Sequence, residues 1–483
     1  MDGSTVAWTV GATLELFSIW TAGHALIRKR SPRSALAWVV ACLMFPILGA
    51  GMYWLIGQNR VFTRARKLRE RFPTREELDA EALASKETLA SVVDSEHALE
   101  SLLQIARTGD ALTAWPLTSG NAFEPLENGD RAYPELLAAI REARESVDLM
   151  VYLFDGERVV AEFAAALAAA RERGVEVRVL LDGLGDLITR RQARRALEAR
   201  GVTVARFLPP TLSERGLHIN LRNHRKLLIV DGRIAFTGGM NLRDVCELER
   251  QPPGASRVRD LQFRVRGPVV NELARVFEED WSFSTRSPFR EPAQRAEQGA
   301  GDAVARVVPD GPNEDRDTLK WLITAAVSAA RTRVRIQTPY LIPPEELEAV
   351  LLTASLRGLT VQVLVPADLD HPYVGWAMRP MVRDMVRRGV ELRFQPGTFA
   401  HTKLITIDDG LSIVGSANMD PRSLRLNFEL GVTVYDRDLT AALNEMFERD
   451  WAQSTPLTVD ELAADPLWRR LRDNLARLAS PYL

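Results

Sequence analysis

Cysteine is scarce in this sequence, and neither sign of charge is in excess. The chain of 483 residues has 2 cysteines, and its 62 Lys and Arg residues oppose 64 Asp and Glu residues, for a net charge of −2. Two cysteines exclude a disulfide framework or a four-cysteine zinc site, so we predict that Cys42 and Cys246 are buried thiols in a reducing compartment. Proteins that track nucleic acid carry a basic excess or a basic stripe. The missing basic excess therefore disfavours nucleic-acid substrates.

Uncharged residues run from Ala35 to Gly57, ALAWVVACLMFPILGAGMYWLIG. As a helix kinked at Pro46, this run is long enough to cross a hydrocarbon core of ~30 Å. A second candidate, from Val6 to Ile27, has Glu15 near its middle. Because a carboxyl group is costly at that depth, we expect this segment to be tilted or partly inserted. We therefore predict a membrane anchor of two hydrophobic helices over residues 1–58.

The charges around this anchor favour a cytoplasmic location for the rest of the chain. Basic residues flank the second apolar segment on both sides, and positive flanks tend to stay in the cytoplasm. We expect a multi-pass protein of the inner (plasma) membrane with its catalytic domains inside. A cleaved signal peptide is not expected, because MDGST has no positive charge and no A-x-A-like site follows the first apolar stretch. The flanking residues are Arg28, Lys29, Arg30 and Arg33 before the segment, and Arg60, Arg64, Arg66, Lys67, Arg69 and Arg71 after it.

After a charged, helix-prone linker over residues 59–112, helical and strand-like segments alternate in an order that occurs twice. Helical ELLAAIREARES precedes VDLMVYLF in the first occurrence, and LKWLITAAVSAART precedes VRIQTPYLI in the second. FTGGMN corresponds in the same way to IVGSANMD. The alternation predicts an α/β layer arrangement. The long-period repeat predicts two copies of one domain, over residues 113–300 and 301–483.

Each copy contains an HxKxxxxD stretch, and ten residues after its aspartate comes an asparagine. Corresponding residues of the two copies are 177 positions apart throughout, because 401 − 224, 403 − 226, 408 − 231 and 418 − 241 give the same difference. A single HxK is weak evidence, since a lone histidine is more often structural, but the joint pattern predicts a site. The candidate catalytic residues are His224, Lys226, Asp231, His401, Lys403 and Asp408, and the candidate phosphate ligands are Asn241, Ser416 and Asn418.

Two histidines, two lysines and two amides suit phosphodiester exchange. Residues two apart on a strand share a face, so the His and Lys of each stretch are expected to project together. One imidazole can attack phosphorus and give a phosphohistidine. The other can protonate the departing alkoxide and then take a proton from the incoming hydroxyl. The lysines, the asparagines and the Ser416 hydroxyl would hold the oxygens that gain charge. Asp260 and Glu429, at corresponding strand positions, are candidates to orient the two histidines.

Several motif residues also have plain structural interpretations. Asp231-Gly232 and Asp409-Gly410 are hairpin signals, and for Asp231 and Asp408 we prefer a structural role to direct proton transfer. The glycines of GGMN and GSAN are expected to let the backbone approach a phosphate closely. No Cys, Asp or Glu shows zinc-ligand spacing around His224 and His401, so we expect neither a metal nor another cofactor. The remaining histidines are expected to be structural, with His371 the one to watch near the substrate: His24, His97, His218 and His371.

NHRKLLIVDGRIAFTGGMN and QPGTFAHTKLITIDDGLSIVGSANMDPRSLRLNFE resemble the two signature motifs of the phospholipase D superfamily, and within it those of bacterial cardiolipin synthases. The apolar segments joined by RKRSPRSALAW and the terminal LARLASPYL are similar as well, so the likeness covers nearly the whole chain. The resemblance implies duplicated α/β/α sandwich domains with one active site where the two copies meet. It also implies phosphatidylglycerol as the substrate.

By this resemblance, His224 takes a phosphatidyl group and releases glycerol, and a second phosphatidylglycerol accepts the group through its free hydroxyl. The two histidines could exchange roles, and Gly239, which stands where the second copy has Ser416, makes the halves inequivalent without ordering them. A phospholipase D acting with water or another alcohol is the alternative, and it would use the same residues. A nucleic-acid phosphodiesterase shares the motif, but the near-neutral charge and the predicted anchor count against it.

Overall fold

The computed structural model describes residues 3–29, 32–57, 86–90, 92–93, 95–210, 221–252, 254–312, 317–478 and 480. The chain divides into two compact units, Met1–Lys67 with Pro209–Asn220, and Leu68–Leu208 with Leu221–Leu483. Most of the predicted linker, the basic cluster Arg60 to Arg71, His218 and the last three residues lie outside the described residues.

Apolar helices form the described part of the first unit. They cover Gly3–Arg28, Pro32–Met44 and Pro46–Met52, and a π-helical turn covers Tyr53–Gly57. His24 Nδ1 lies 2.8 Å from the Tyr53 hydroxyl, and Trp20 stacks on Trp54 with ring centroids 5.2 Å apart. His24 therefore packs within this helical unit, as the structural interpretation predicts.

The apolar run Ala35–Gly57 is helical on both sides of Pro46, and it is interrupted at the place where we predicted a kink. The chain leaves helical geometry at Phe45 (φ −130°, ψ 73°), because the ring of Pro46 disfavours an α conformation at the residue before it. Among the described residues, the one helix long and apolar enough to cross a membrane is Trp8–Arg28. That is the segment that we expected to be tilted or partly inserted. The apolar helix from Ser34 to Met44 is shorter than a crossing requires.

A single sheet of fifteen described strands runs through the second unit. The strands of the first copy are β1 Thr118–Glu127, β2 Ser146–Val151, β3 Phe154–Asp155, β4 Glu176–Asp182, β5 Thr203–Phe207, β6 Leu227–Val230, β7 Ile234–Gly238, β8 Leu242–Arg243, β9 Val258–Arg259 and β10 Leu261–Arg266. Those of the second copy are β11 Ala303–Asp310, β12 Arg333–Gln337, β13 Thr360–Pro366, β14 Glu391–Gln395, β15 Phe399–Ala400, β16 Leu404–Ile407, β17 Leu411–Gly415, β18 Glu429–Tyr435 and β19 Thr455–Pro456. The short strands pair outside the sheet, β3 with β8 and β9 with β15. The order in the sheet is β19-β14-β13-β12-β16-β17-β18-β11-β1-β10-β7-β6-β2-β4-β5.

Apart from β19 at one edge, the two halves of the sheet mirror one another. Read inward from its outer edge, the second copy has the order β14-β13-β12-β16-β17-β18-β11, and the first copy has the corresponding order β5-β4-β2-β6-β7-β10-β1. The copies join where β1 pairs antiparallel with β11, with Thr118 opposite Ala305. In each copy the inner strands of the βαβ units are parallel, as in β2 with β4 and β12 with β13. The predicted duplication of an α/β domain is therefore confirmed, and the two copies share one continuous sheet.

Helices cover both faces of the sheet. The first copy has Asn128–Glu142, Glu157–Glu172, Gly183–Ile188, Gln192–Glu198 and Val269–Thr285, with a 3-10 turn at Asp244–Cys246. The second has Thr318–Ala329, Glu345–Leu356, Pro372–Arg387, Arg437–Ala452, Val459–Ala463 and Leu467–Leu478.

Alternation along the strands explains the layers. Val147 and Leu149 of β2 join one apolar core with the helices Asn128–Glu142 and Glu157–Glu172, whereas Asp148 points to the other face. There it pairs with Arg178, which also pairs with Glu278 of the helix Val269–Thr285. The expected α/β/α sandwich is confirmed.

Two further helices precede the first copy, Lys86–Leu89 and Glu96–Leu112. The longer one begins at Ser95, whose hydroxyl accepts a hydrogen bond from Ala98 N. Its residues Leu102 and Ile105 are buried in the apolar core of the second copy, and its Asp110 pairs with the buried Arg306. This end of the predicted linker is therefore part of the packed second unit.

Candidate active site

Each HxK segment is held by the backbone of the other copy. His224 N donates a hydrogen bond to Phe428 O (2.9 Å), and Phe428 N donates to Arg222 O (2.7 Å). In the same way His401 N donates to Arg259 O (2.7 Å), beside the parallel pairing of β15 with β9. Each histidine therefore lies next to the residue that follows its pairing partner, which is Glu429 for His224 and Asp260 for His401.

The two imidazole rings face one another in a buried site. Their centroids are 6.5 Å apart and their planes are inclined by 80°, and both histidines are largely withdrawn from solvent. Tyr152 lies edge-on to His224 at 5.2 Å, and Phe399 lies 5.9 Å from His401. At this separation of the ring centroids, one phosphate group can contact both rings, so a single phosphorus can be reached by both.

A carboxylate from the opposite copy faces each ring. His224 Nδ1 lies 3.0 Å from Glu429 Oε2, and His401 Nδ1 lies 2.6 Å from Asp260 Oδ2. A carboxylate only accepts, so it selects the tautomer with hydrogen on Nδ1 and leaves the Nε2 lone pair for chemistry. His224 Nδ1 also lies 3.1 Å from Ser416 O. Each copy thus supplies the carboxylate that orients the histidine of the other copy.

The two lysines stay close to the rings. Lys226 Nζ donates to His224 O (2.5 Å) and lies 5.6 Å from the centre of the Tyr152 ring. Lys403 Nζ donates to His401 O and lies 2.7 Å from His401 Nδ1. Nδ1 of His401 can hold a hydrogen for Asp260 or accept one from Lys403, but not both. In this geometry Lys403 therefore opposes a positive charge on His401.

Burial sets the charge state of the site. Burial lowers the pKa of Lys226 to about 7 and that of Lys403 to about 8. Burial and then the neighbouring Lys403 lower the pKa of His401 to about 4, and burial lowers that of His224 despite the attraction of Glu429. For Asp260, the raising effect of burial is outweighed by Lys403 and His401, so its pKa ends below the ordinary value. Both imidazoles are therefore neutral at pH 7 beside an ionised carboxylate.

Asp231 and Asp408 lie at hairpin turns and bind backbone amides. The Asp231 carboxylate accepts from the N–H groups of Arg144, Glu145 and Ser146 at 2.7–3.2 Å. Asp408 accepts in the same way from residues 331–333. Both carboxylates join the end of a helix to the start of a strand, so the structure supports the structural role and not the catalytic one that their place in the motif suggests.

The turns themselves differ slightly from the prediction. Asp231 and Gly232 both have positive φ (54° and 64°), as the Asp-Gly signal predicts. In the second copy the positive φ of 50° falls on Asp408, before the predicted Asp409-Gly410 pair.

The phosphate ligands predicted near the rings have distinct surroundings. Asn241 Oδ1 accepts from Leu153 N (3.0 Å), which leaves the amide NH₂ as the donor that can meet a ligand. Asn418 Oδ1 is buried and has no hydrogen-bond partner within the described residues. Ser416 Oγ donates to Glu429 Oε2 (2.5 Å) and accepts from Leu430 N (2.9 Å). Because its single hydrogen is used in this way, Ser416 supports Glu429 here and is not poised to donate to a phosphate.

The motif glycines serve packing between strands. A Cβ on Gly238 would lie 2.5 Å from Leu261 O, and one on Gly415 would lie 2.1 Å from Leu430 O. A Cβ on Gly239 would lie 2.4 Å from Asp260 Oδ1. These residues therefore let the neighbouring strand approach, and at Gly239 they leave room for Asp260 and Lys403. That they let the backbone approach a phosphate stays a prediction.

Several further polar residues border the site. Tyr152 contacts His224, and the pKa of Asp182, whose Oδ2 accepts from Asn223 N, is raised to about 6 by burial. Burial also raises the pKa of Asp420 to about 6. His371 is half-exposed and lies 6.5 Å from Tyr340, which in turn lies 6.4 Å from Phe399. The matched runs VDLMVYLF and VRIQTPYLI each contain a tyrosine, which was a usable signal for Tyr152 and Tyr340.

Within the described residues, no three His, Cys, Asp or Glu side chains are grouped as a metal site. The two described cysteines are free and buried.

Comparisons with known proteins agree with the geometry. Residues 136–281 and 323–451 match the family model described as cardiolipin synthase, PLD-like domain, and residues 16–58 match the one described as phospholipase D-nuclease N-terminal. The chain is 31% identical to cardiolipin synthase A of Pseudomonas aeruginosa strain PAO1, covering 100% of this chain and 97% of that protein. It is 29% identical to the major cardiolipin synthase ClsA of Bacillus subtilis strain 168, covering 97% of this chain and 98% of that protein.

A solved structure shares the fold. Phosphatidylserine synthase from Haemophilus influenzae Rd KW20 superposes with a TM-score of 0.61, covering 79% of this chain and 100% of that one, at 14% identity.

Proposed function

Because the chain belongs to the cardiolipin synthase family with phospholipase D-like domains, we propose that it joins two phosphatidylglycerol molecules into cardiolipin and releases glycerol. The enzyme is a phosphatidyltransferase. The observation that carries the proposal is the pair of imidazoles with centroids 6.5 Å apart, each facing a carboxylate from the other copy. Two such groups can serve both sides of one phosphorus.

In the first half of the reaction, His224 Nε2 attacks the phosphorus of the donor lipid. The N–P bond forms as the P–O bond to glycerol breaks, and His401 supplies the proton that the departing alkoxide needs. Glu429 accepts the Nδ1 hydrogen of His224 (3.0 Å), so it stabilises the positive charge that develops on the attacking ring. The product is a phosphatidyl-histidine and free glycerol.

In the second half, the acceptor hydroxyl attacks the same phosphorus. His401, now neutral, takes the hydroxyl proton, the new P–O bond forms, and the bond to His224 Nε2 breaks. Water in place of the acceptor lipid would give phosphatidic acid, which is the phospholipase D alternative. The chemistry of the two halves is the same, so the identity of the acceptor separates the two functions.

The phosphate also changes the charge balance around His401. An anionic oxygen between the rings attracts Lys226 and Lys403, whose pKa values burial lowers to about 7 and 8 although Glu429 and Asp260 lie nearby. As Lys403 moves from Nδ1 to the phosphate, Asp260 alone faces the ring, and His401 becomes easier to protonate. Substrate binding thereby prepares the general acid. Asn241 and Asn418 are proposed to bind the other oxygens, and Ser416 to hold Glu429.

The enzyme is membrane-associated by its family, and we propose that residues 1–58 anchor it in the inner membrane. Crossing by Trp8–Arg28 is supported by length and composition, and a multi-pass arrangement requires that the broken helical segment Pro32–Gly57 also enters the bilayer. The proposed boundary between the catalytic domains is at about residue 300, just before β11.

The test is a product assay with the purified full chain and phosphatidylglycerol in mixed micelles. Cardiolipin and glycerol in equal amounts support the proposal. Phosphatidic acid without cardiolipin would show hydrolysis. In a parallel incubation with DNA, cleavage of the DNA by a protein that forms no lipid product would show a nuclease.

A further inference from the structure

The helix Leu467–Leu478 turns its apolar side outward, whereas an ordinary surface helix turns that side towards the core. Its large apolar residues fall on one side and are exposed, from 59% for Trp468 to 77% for Leu478. Amphipathic helices of soluble domains place that side against the core. The residues of this C-terminal apolar face are Leu467, Trp468, Leu471, Leu475 and Leu478.

Ion pairs hold the helix in this orientation. Asp473 is 1% exposed and pairs with Arg472 (2.6 Å) and with Arg379 (3.5 Å) of the helix Pro372–Arg387. Asp465, just before the helix, accepts from Arg379 and Arg383 at 3.1–3.2 Å. Rotating the helix to bury its leucines would carry the buried Asp473 away from Arg379.

A row of aromatic rings connects this face to the active site. The Arg472 guanidinium lies 4.6 Å from the centre of the Trp376 ring and 5.5 Å from that of Trp468. Tyr373 is half-exposed and lies one turn before Trp376 on the same helix. It is the last of five rings that begin at His401, and the centroids of successive rings are 5.9, 6.4, 6.5 and 5.4 Å apart. The row consists of His401, Phe399, Tyr340, His371 and Tyr373.

From these contacts we propose that the C-terminal apolar face, with Tyr373 and Trp376, binds the surface of an anionic phospholipid bilayer. The helix carries four arginines (469, 470, 472 and 477) and one aspartate (473), a formal charge of +3. Leucines on one side with arginines and tryptophan at the rim are typical of helices that lie in the membrane interface. A second copy docked face to face would bring the same +3 charge against itself, so anionic lipid is the better match.

The docked surface would also place the row of rings at the bilayer, so that a headgroup can enter beside His401. This part of the inference rests on the proposed function, because it supposes a lipid substrate. Binding of the bilayer itself does not require turnover, and it can be measured separately.

Depth-dependent fluorescence quenching tests the contact in the full chain. Leu471→Cys is labelled with an environment-sensitive fluorophore, which is selective because Cys42 and Cys246 are buried, and the protein is reconstituted into vesicles containing phosphatidylglycerol. We expect quenching by spin-labelled lipid and protection from aqueous iodide. The matched control is Glu172→Cys, an exposed site at the end of the helix Glu157–Glu172, where iodide should quench and lipid should not.

A turnover assay gives the second arm. Leu471→Asn with Leu475→Asn should lower the ratio of vesicle activity to micelle activity about tenfold, since two exposed leucines no longer enter the interface. Leu356→Asn, an equally exposed leucine outside this face (68%), should leave the ratio unchanged.

Iodide quenching of the labelled Leu471→Cys protein in vesicles overturns the proposal. Protection that depends on protein concentration, without lipid quenching, overturns it in favour of a second copy. If the wild type makes no cardiolipin but lipid quenching persists, the proposed function fails and the membrane contact stands.

Discussion

Replacing Asp260 by asparagine tests the orienting carboxylates most sharply, because the structure fixes how the new amide must lie. Asp260 Oδ1 accepts from Leu261 N at 2.8 Å, and Oδ2 faces His401 Nδ1 at 2.6 Å. In Asp260→Asn the amide oxygen has to stay on the Leu261 N–H, so the NH₂ group points at His401 Nδ1. A donor in that place forces the ring hydrogen onto Nε2, which removes the lone pair needed for proton transfer.

The size of the effect follows from two contributions. Loss of a hydrogen bond to a charged group costs about 1.5–3 kcal/mol, which is roughly 10- to 150-fold in rate. The wrong tautomer adds to this, and in a serine-protease triad the same Asp-to-Asn change costs about 10⁴-fold in kcat. We therefore expect kcat to fall by about 10²- to 10⁴-fold, with little change in KM.

The assay is the initial rate of cardiolipin formation in mixed micelles, with thermal unfolding measured on the same preparation. Glu448→Gln is the matched control, since it removes the charge of a half-exposed carboxylate on the helix Arg437–Ala452, while its partner Arg335 keeps a hydrogen bond to Gln362. It should keep full activity. A folded Asp260→Asn enzyme with more than about a third of the wild-type kcat would refute the role of Asp260 in setting the tautomer.

The remaining predictions concern the same site. His224→Ala and His401→Ala should each abolish turnover without unfolding the protein, as measured by product assay and circular dichroism; substantial activity in either would contradict a shared site. The kcat/KM of the wild type should already fall with rising pH below 7, because the general acid His401 needs a proton that burial disfavours, and the fall should steepen through about 7 to 8, where Lys226 and Lys403 lose the protons with which they bind phosphate; a slope that does not steepen there would count against both lysines. Asp231→Asn should lower the free energy of unfolding by about 1–3 kcal/mol through its three backbone contacts, measured by urea denaturation, while the folded fraction keeps its kcat; a stable but inactive variant would restore a catalytic role. Chelator should leave activity intact, and a loss reversed by zinc would show that the histidines bind metal.

Local patterns in the sequence predicted the duplication and which histidine, lysine and carboxylate side chains lie together. The constant difference of 177 residues identified corresponding positions, and the Asp231-Gly232 turn signal predicted the hairpin. Asp260 and Glu429 could be named as orienting carboxylates from strand position alone. Which histidine each one serves depends on the antiparallel junction of β1 with β11 and on backbone pairing across the copies, and no local pattern encodes such non-local contacts.

The structure adds features that depend on packing or on a single backbone angle. The kink predicted at Pro46 falls at Phe45, where the helix Pro32–Met44 ends. Gly238 and Gly415 lie against carbonyl groups of the neighbouring strands, which are non-local contacts that no local pattern encodes. The apolar side of Leu467–Leu478 faces outward, as the exposure of its leucines and the ion pairs of Asp473 show.

Covalent trapping measures the central feature, a single phosphorus served by both imidazoles. Phosphatidyl-p-nitrophenol has a leaving group that needs no proton, so His401→Ala should release one burst equivalent of nitrophenol per chain and then stop. The retained phosphatidyl group should be on the peptide containing His224, labile to acid and stable to alkali. Two equivalents per chain in the wild type, with His224 and His401 labelled independently, would mean two separate sites and would contradict the account.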